Sequence, residues 1–320
     1  MAYHVVIADD RYPHYHEETE VLQAIGAQVV NVKSQDASEL LRIGRAADGI
    51  IVNLAPFKAD FINQLSQCRI ISRYGVGYDN VDVDAATAKK IWVANVPDYC
   101  GEDVSDQAFA LFMSCVRKTA LRDRQVRGGT WDITRAGQQW RIKGKTFVFF
   151  GFGQIARILH RKLTGFQLGR VLVFDPFVDA AVVQAAGAEK VDWDTALREG
   201  DYFSIHMPLS AQTRGLFNEA AFKKMKRTAM VINTSRGPII DESALHKALS
   251  EGWINSAGLD VFEKEPINPD NPLLKLDNIT VSGHTGWYTE ESQKELKRKA
   301  AENVRDVLLG GKPKYPVNKL

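Results

Sequence analysis

The stretch Thr146-Phe147-Val148-Phe149-Phe150-Gly151-Phe152-Gly153-Gln154-Ile155-Ala156 decides the fold. Its first half reads as an apolar, buried strand. That strand runs directly into G-x-G-x-x-A, and a helical pattern continues to Leu163. The first glycine permits a tight turn, and the second lets a ligand approach the backbone. Ala156 meets the need for a small residue where helix and strand meet. The helix N-terminus offers unpaired N–H groups and a positive dipole end suited to phosphate. By itself the motif is weak evidence, and a plain tight turn is the better reading of it. A second strand, Val171 to Phe174, ends in Asp175, 24 residues after Gly151. An acid at that place bonds ribose hydroxyls. Strand, turn, helix and acid together predict a dinucleotide site. Asp175 would repel a 2′-phosphate, and Pro176-Phe177 supplies no arginine to receive one, so the reading is NAD rather than NADP.

Short β-branched runs alternate with amphipathic stretches on both sides of this motif. Upstream, His4 to Ala8, Gln28 to Val32, Gly49 to Asn53, Arg69 to Ser72 and Trp92 to Ala94 read as strands. His16 to Ile25, Ser38 to Ala46, Ala59 to Leu65 and Asp84 to Lys89 read as the helices between them. Such alternation predicts parallel βαβ units with both sheet faces covered. Pro97 to Gly101 breaks the pattern. One long helix is expected from Glu102 to Arg127, stopped by Gly128-Gly129. The alternation resumes at Thr146 and continues to Val281, and a last helix, Glu290 to Leu309, ends at Gly310-Gly311 and Pro313. The expectation is α/β: two Rossmann-like, doubly wound parallel-sheet domains. A flavodoxin-like substrate domain (1–99 and 289–320) is interrupted by an inserted NAD-binding domain (100–288).

Composition narrows the function classes. The 320 residues are 45% hydrophobic and 25% charged, with a formal net charge of +2. That is an ordinary globular balance, and disordered, collagenous and disulfide-scaffold classes drop out. Nucleic acid as the main partner would call for a basic excess. Cys68, Cys100 and Cys115 are too few and too widely spaced for a disulfide framework or a metal cluster. Met1 to Asp10 has neither a basic leader nor a long apolar core. The longest apolar runs fall short of the roughly 20 residues that span a bilayer. The expected setting is cytoplasmic, with no membrane partner.

Three further segments carry reactive side chains just past predicted strands: Val231 to Gly237, Ala257 to Pro266 and Val281 to Trp287. Open parallel sheets bind ligands at the carboxyl ends of their strands, so these segments are expected on the dinucleotide side. With Arg73-Tyr74-Gly75-Val76-Gly77-Tyr78-Asp79-Asn80 and His206-Met207-Pro208-Leu209, they make the sequence resemble the D-isomer-specific 2-hydroxyacid dehydrogenase family. The resemblance covers nearly the whole chain. Pro97-Asp98-Tyr99 and His284-Thr285-Gly286-Trp287-Tyr288 look most like the branch similar to C-terminal-binding proteins and phosphoglycerate dehydrogenases.

The resemblance implies a catalytic trio of Arg236, Glu265 and His284, acting with NAD on a small 2-hydroxy or 2-keto acid. The chemistry asks for the same residue types. Histidine titrates in the right range to exchange the hydroxyl proton while hydride moves at C2. A neighbouring carboxylate favours imidazolium, so Glu265 is expected to raise the His284 pKa and favour keto-acid reduction. An arginine fork binds a carboxylate and polarises a keto oxygen. Cofactor contacts carry over to Gly151, Gly153, Gln154, Ile155, Asp175, Pro208, Thr213, Thr234, Ser235, Arg236, Asp260, His284 and Gly286, with Asp260 foremost at the nicotinamide. Val76 and Gly77 are expected to bind substrate carboxylate through backbone N–H groups. Arg73, Arg236 and Trp287 are expected beside them, with Tyr99 and Asn53 as weaker candidates. His206 is read as positioning the Pro208 loop. His4, His14, His16, His160 and His246 are read as surface or core residues. A homodimer through the long helix is also implied.

Two departures touch this pattern. Gln107 stands where a histidine is commoner. Gly283 stands where proline is usual, which predicts a more mobile His284. Competing readings are a 3-phosphoglycerate- or phosphite-type dehydrogenase and a non-enzymatic, NAD-responsive corepressor-like scaffold. A formate dehydrogenase fits less well, because that branch replaces the glutamate present here as Glu265.

Overall fold

A computed structural model describes residues 2–8, 11–34 and 36–320; the N-terminal reading over Met1, Asp9 and Asp10 lies partly outside them. The chain divides into two units, Met1–Cys100 with Thr289–Leu320, and Gly101–Tyr288. The first unit holds β1 (His4–Ala8), α1 (His16–Gln23), β2 (Gln28–Val32), α2 (Ala37–Gly44), β3 (Gly49–Val52), α3 (Ala59–Ile62), β4 (Ile70–Arg73), α4 (Val83–Ala88) and β5 (Trp92–Ala94). Its five strands are parallel in the order β2-β1-β3-β4-β5, the flavodoxin-like order expected. Element ends differ from the sequence reading by one to three residues, where fraying and capping decide the boundary.

The second unit runs α5 (Gly101–Arg117), α6 (Thr119–Arg127), β6 (Thr146–Phe150), α7 (Gln154–Leu163), β7 (Arg170–Phe174), α8 (Ala180–Ala185), β8 (Glu189–Lys190), α9 (Trp193–Glu199), β9 (Tyr202–Ile205), α10 (Glu219–Lys224), β10 (Met230–Asn233), α11 (Glu242–Ser250), β11 (Ser256–Leu259) and β12 (Ile279–Val281). The last helix, α12 (Glu290–Leu308), belongs to the first unit. The long helix expected from Glu102 to Arg127 is two helices. Lys118 takes a left-handed φ of 54° between them, which breaks the ladder. A seven-stranded parallel sheet has the order β12-β11-β10-β9-β6-β7-β8. The chain reverses direction of sheet growth at β6, between β7 and β9, and the glycine turn follows that strand. β6 shows why its sequence is apolar throughout. Val148 and Phe150 enter one buried layer with Phe203 and Leu245, while Phe147 and Phe149 enter the other with Phe112 and Leu159. Strands covered on both faces lose the alternation of a half-exposed sheet.

In the first unit α1 packs against α12, and a charged cluster lies buried between them. Lys297 Nζ is 2.6 Å from Glu17 Oε2 and donates to the His14 carbonyl at 2.8 Å. Glu18 is fully buried and accepts from the Tyr74 hydroxyl at 2.5 Å, with Lys297 3.8 Å from its other oxygen. Burial raises the Glu18 carboxyl to about 7, against the pull of Tyr74 and Lys297. A carboxyl that keeps its proton to higher pH folded than unfolded stabilises the fold most below about pH 4.5. That contribution is lost as pH rises through about 7. Glu18→Gln should therefore match the wild type near pH 4. At pH 8 it should be more stable by roughly 1–3 kcal/mol, since one pKa unit is worth about 1.4 kcal/mol. Urea unfolding at the two pH values reads the difference; no gain at pH 8 would refute it.

Candidate active site

The glycine turn is shaped by two close approaches. Gly151 has φ +89°, and a Cβ there would stand 2.9 Å from the His206 carbonyl carbon and oxygen. Only glycine lets β6 pass so near the chain leaving β9. Gly153 has no neighbour within 4 Å of a Cβ position, so its face is open. It caps α7 without a side-chain bond, and exposed Gln154 and half-buried Ile155 follow it. The open glycine and the uncapped N–H groups fit a pyrophosphate.

Asp175 sits at the end of β7 as expected, but it first serves the turn itself. Its Oδ2 accepts from Phe152 N at 2.8 Å, and its Oδ1 accepts from Phe177 N and Val178 N at 2.8 and 3.1 Å. Three of about four acceptor sites are thus filled, leaving one for a ribose hydroxyl. Thr213 Oγ1 donates to the Pro208 carbonyl at 2.7 Å and receives Ser210 N at 2.8 Å, which ties the loop after β9. His206 lies at the root of that loop, 2.7 Å from Ser204 Oγ through Nε2. Burial lowers its pKa to about 4, which favours the neutral ring.

The loops after β10, β11 and β12 bring Arg236, Glu265 and His284 to the same edge of the sheet. Asn233, fully buried at the end of β10, takes Ser235 N and Ser235 Oγ on its Oδ1 at 3.0 and 2.9 Å. Its Nδ2 donates to the Arg236 carbonyl at 2.9 Å, and Arg236 Nη1 donates to the Ser235 carbonyl at 2.8 Å. The sequence reading named Thr234, Ser235 and Arg236 but missed Asn233. An Asn ending a strand before a polar turn was the available signal. Thr234 Oγ1 is buried without a partner among the described residues. Such an orphaned hydroxyl suits a ribose or amide contact, and with the open Gly153 it shows that the residues present fit NAD.

Gly237 locks this loop to the next. A Cβ at Gly237 would fall 1.9 Å from the Phe262 carbonyl carbon, so the two loops touch backbone to backbone. Phe262 N donates to Glu265 Oε1 at 3.0 Å, and Glu265 Oε2 lies 2.5 Å from His284 Nδ1. A carboxylate only accepts, so Nδ1 carries the proton and Nε2 is left as the ring's second site. Burial alone would raise the Glu265 carboxyl. The hydrogen bond and charge of His284, the Phe262 N–H and the Arg236 charge outweigh it and hold Glu265 below its ordinary value. The two side chains are 29% and 30% exposed, so the pair is partly shielded from water.

The His284 loop carries its left-handed backbone one residue past Gly283. Gly283 meets nothing within 4 Å, and the left-handed residue is His284 itself, with φ +56°. Asp260, 2% exposed, holds the loop. Its carbonyl accepts His284 N at 2.7 Å, and its carboxylate accepts Thr285 N at 3.0 Å, Gly286 N at 2.9 Å and Ser282 Oγ at 2.6 Å. Asp260 was expected at the nicotinamide; most of its capacity goes to this loop. Trp287, next in the chain, packs edge-on against Tyr288 at 5.6 Å.

Arg73, Val76 and Gly77 lie in the first unit, in the turn after β4. Arg73 Nη1 donates to the carbonyl of Tyr74, and a Cβ at Gly75, where φ is +118°, would collide with that guanidinium. Val76 is 37% exposed, and its carbonyl accepts from Asn95 Nδ2 at 2.7 Å. Tyr99 is buried, and Asn53 receives Asn80 Nδ2 on its carbonyl at 3.0 Å.

The family model for the D-isomer specific 2-hydroxyacid dehydrogenase, NAD binding domain, matches residues 109–286. A glyoxylate reductase of Korarchaeum cryptofilum is 38% identical over 266 residues, 82% of this chain and 80% of that protein. A D-3-phosphoglycerate dehydrogenase of Archaeoglobus fulgidus is 33% identical over 303 residues, 94% of this chain but 57% of that protein. The crystal structure of a glyoxylate reductase from Paecilomyes thermophila superposes with a TM-score of 0.90 at 27% identity, covering 99% of each chain. With its two parallel-sheet units and the glycine turn after β6, the chain belongs to the D-isomer-specific 2-hydroxyacid dehydrogenase family and is an NAD-dependent oxidoreductase acting on CH–OH groups.

Proposed function

We propose that the protein works as a 2-keto acid reductase with Arg236, Glu265 and His284 as its catalytic residues, and that glyoxylate is its first substrate to try. The observation that carries this reading is the 2.5 Å contact between His284 Nδ1 and a Glu265 carboxylate held ionised beside the Arg236 charge. Bound NADH supplies the hydride for C2. His284, doubly protonated, gives the Nε2 proton to the keto oxygen as C2 is reduced, and the Nδ1 proton stays on Glu265's side of the ring. Arg236 pairs with the substrate carboxylate and draws charge from the keto oxygen. Val76 and Gly77, with backbone N–H groups to offer, Arg73 and Trp287 are carried as substrate-binding candidates by the family resemblance. Glyoxylate is favoured by the similarity to glyoxylate reductases; the phosphoglycerate dehydrogenase similarity keeps 3-phosphoglycerate as the rival substrate. The intact acid–base set argues against a purely scaffolding role.

An NADH-oxidation screen over glyoxylate, pyruvate, hydroxypyruvate, phenylpyruvate and branched keto acids should show turnover with at least one, glyoxylate foremost. Oxidation of 3-phosphoglycerate in place of all of them would favour the rival. His284→Ala should lower kcat about 10²–10⁴-fold, the usual weight of a positioned acid, while the NADH Kd stays within about threefold. Full activity in that variant would remove the proposed acid.

Asp175 also supports a preference for NADH over NADPH. The site it closes is one acceptor short of saturation and negatively charged, which suits ribose hydroxyls and opposes phosphate. The kcat/KM with NADH should exceed that with NADPH by at least about tenfold; equal values would contradict this.

A homodimer is the assembly we infer, through α6 and the loop after it. α6 contributes no buried residue, and Val126, Trp131 and Ile133 are 52%, 90% and 80% exposed side by side. Apolar groups clustered this way on a surface mark contact sites. The wild type should elute as a dimer in size-exclusion chromatography with light scattering, and Trp131→Glu should shift it to monomer. A monomeric wild type would refute the assembly.

A further inference from the structure

We propose that Gln107 is a positioning residue for His284, acting through Ser282 and Asp260. The inference rests on the acid–base role given to His284 above. Gln107, on α5, places Nε2 2.7 Å from Ser282 Oγ, and that hydroxyl lies 2.6 Å from Asp260 Oδ1. Proton count fixes the direction of both bonds. A carboxylate only accepts, so the hydroxyl gives its single proton to Asp260. Only lone pairs then remain for Gln107, which must present an N–H. The amide thus sets the Ser282 rotor, and the rotor completes the Asp260 site.

Everything downstream of that site bears on His284. The backbone N–H groups of His284, Thr285 and Gly286 all end on Asp260, at 2.7, 3.0 and 2.9 Å. His284 is held at φ +56°, a conformation that residues with side chains adopt only where their surroundings over-determine it. Gly283 adds no restraint, since nothing stands within 4 Å of its Cβ position. Gln107 also fills space beneath the loop: a Cβ at Gly286 would come 3.2 Å from Gln107 Cγ and 2.9 Å from Asp260 Oδ2. The amide and its stem therefore act on one object, the turn that aims the imidazole at Glu265.

Two substitutions separate the amide's donor role from its bulk. Gln107→Glu keeps the shape but supplies an acceptor at neutral pH, so Ser282 must turn away from Asp260. Gln107→Leu keeps bulk and removes polarity. Both should lower kcat for glyoxylate reduction about tenfold, with the NADH Kd and the glyoxylate KM within about twofold. The double variant Gln107→Leu/Ser282→Ala should be no slower than Ser282→Ala alone, as members of one chain are not additive. Hydrogen exchange followed by mass spectrometry provides a readout without turnover. In the apo protein, amides of the peptide spanning residues 281–288 should exchange about tenfold faster in each variant, with the rest of the chain unchanged. Wild-type activity or exchange in Gln107→Glu would overturn the proposal, as would multiplying effects in the double variant. A wild type inactive on every keto acid, with exchange still accelerated in the variants, would overturn the reductase reading and leave the positioning role standing. Global acceleration of exchange, in place of local, would mean a folding role and also overturn it.

Discussion

The buried carboxylate of Asp260 is the constraint on which the reactive edge depends. A carboxylate at 2% exposure must be answered by donors, and here three of them come from one short turn, Ser282 to Gly286. The turn is thereby drawn tight enough to push His284 into the left-handed region. That strain aims the imidazole at Glu265. Replacing Asp260 by an apolar residue would leave two backbone N–H groups without acceptors and would free the histidine from its geometry.

The same device recurs along the sheet. Asp201 accepts Thr146 N at 2.9 Å at the start of β6, and Asp175 accepts Phe152 N at 2.8 Å just beyond its end. Asn233 organises the turn after β10 in the same way. Parallel strands end with backbone groups that have lost their ladder partners, and short polar side chains at those ends supply the missing bonds. Groups that read as ligand contacts in the sequence are therefore scaffolding first. Whatever capacity they keep for a ligand is the remainder, one acceptor site in the case of Asp175.

This explains what was legible in the sequence. The apolar runs, the glycine turn and the strand-end acids dictated two parallel-sheet units and their strand order, because burial on both faces leaves an unmistakable composition. That Glu265 and His284 would meet was legible, because each follows a strand in a quoted motif and open parallel sheets gather such segments at one edge. The break at Lys118 was not, since no glycine or proline marks it and the helical pattern runs through unchanged. Nor were Asn233 and the Gln107–Ser282 pair, whose meaning lies in partners 2 and 175 positions away and in which way a hydroxyl points. Motif reading finds the residue that touches a ligand. It does not find the residue that holds that residue still.

Two glutamates show why residue type alone could not have assigned the chemistry. Glu18 is sealed between α1 and α12, and burial drives its carboxyl up to about 7 although Lys297 is near. Glu265 is also partly buried, yet it is held below its ordinary value, because His284, the Phe262 N–H and Arg236 all favour the charged form. The difference lies in donor geometry. The lysine beside Glu18 is already committed to Glu17 at 2.6 Å, and the Tyr74 hydroxyl and a backbone hydrogen bond do not make up for the lost water. At Glu265 a backbone N–H and an imidazole N–H converge on the two oxygens. A carboxylate supplied in this way is held in its charged form, whereas Glu18, with fewer donors to replace its lost water, is driven toward its protonated form.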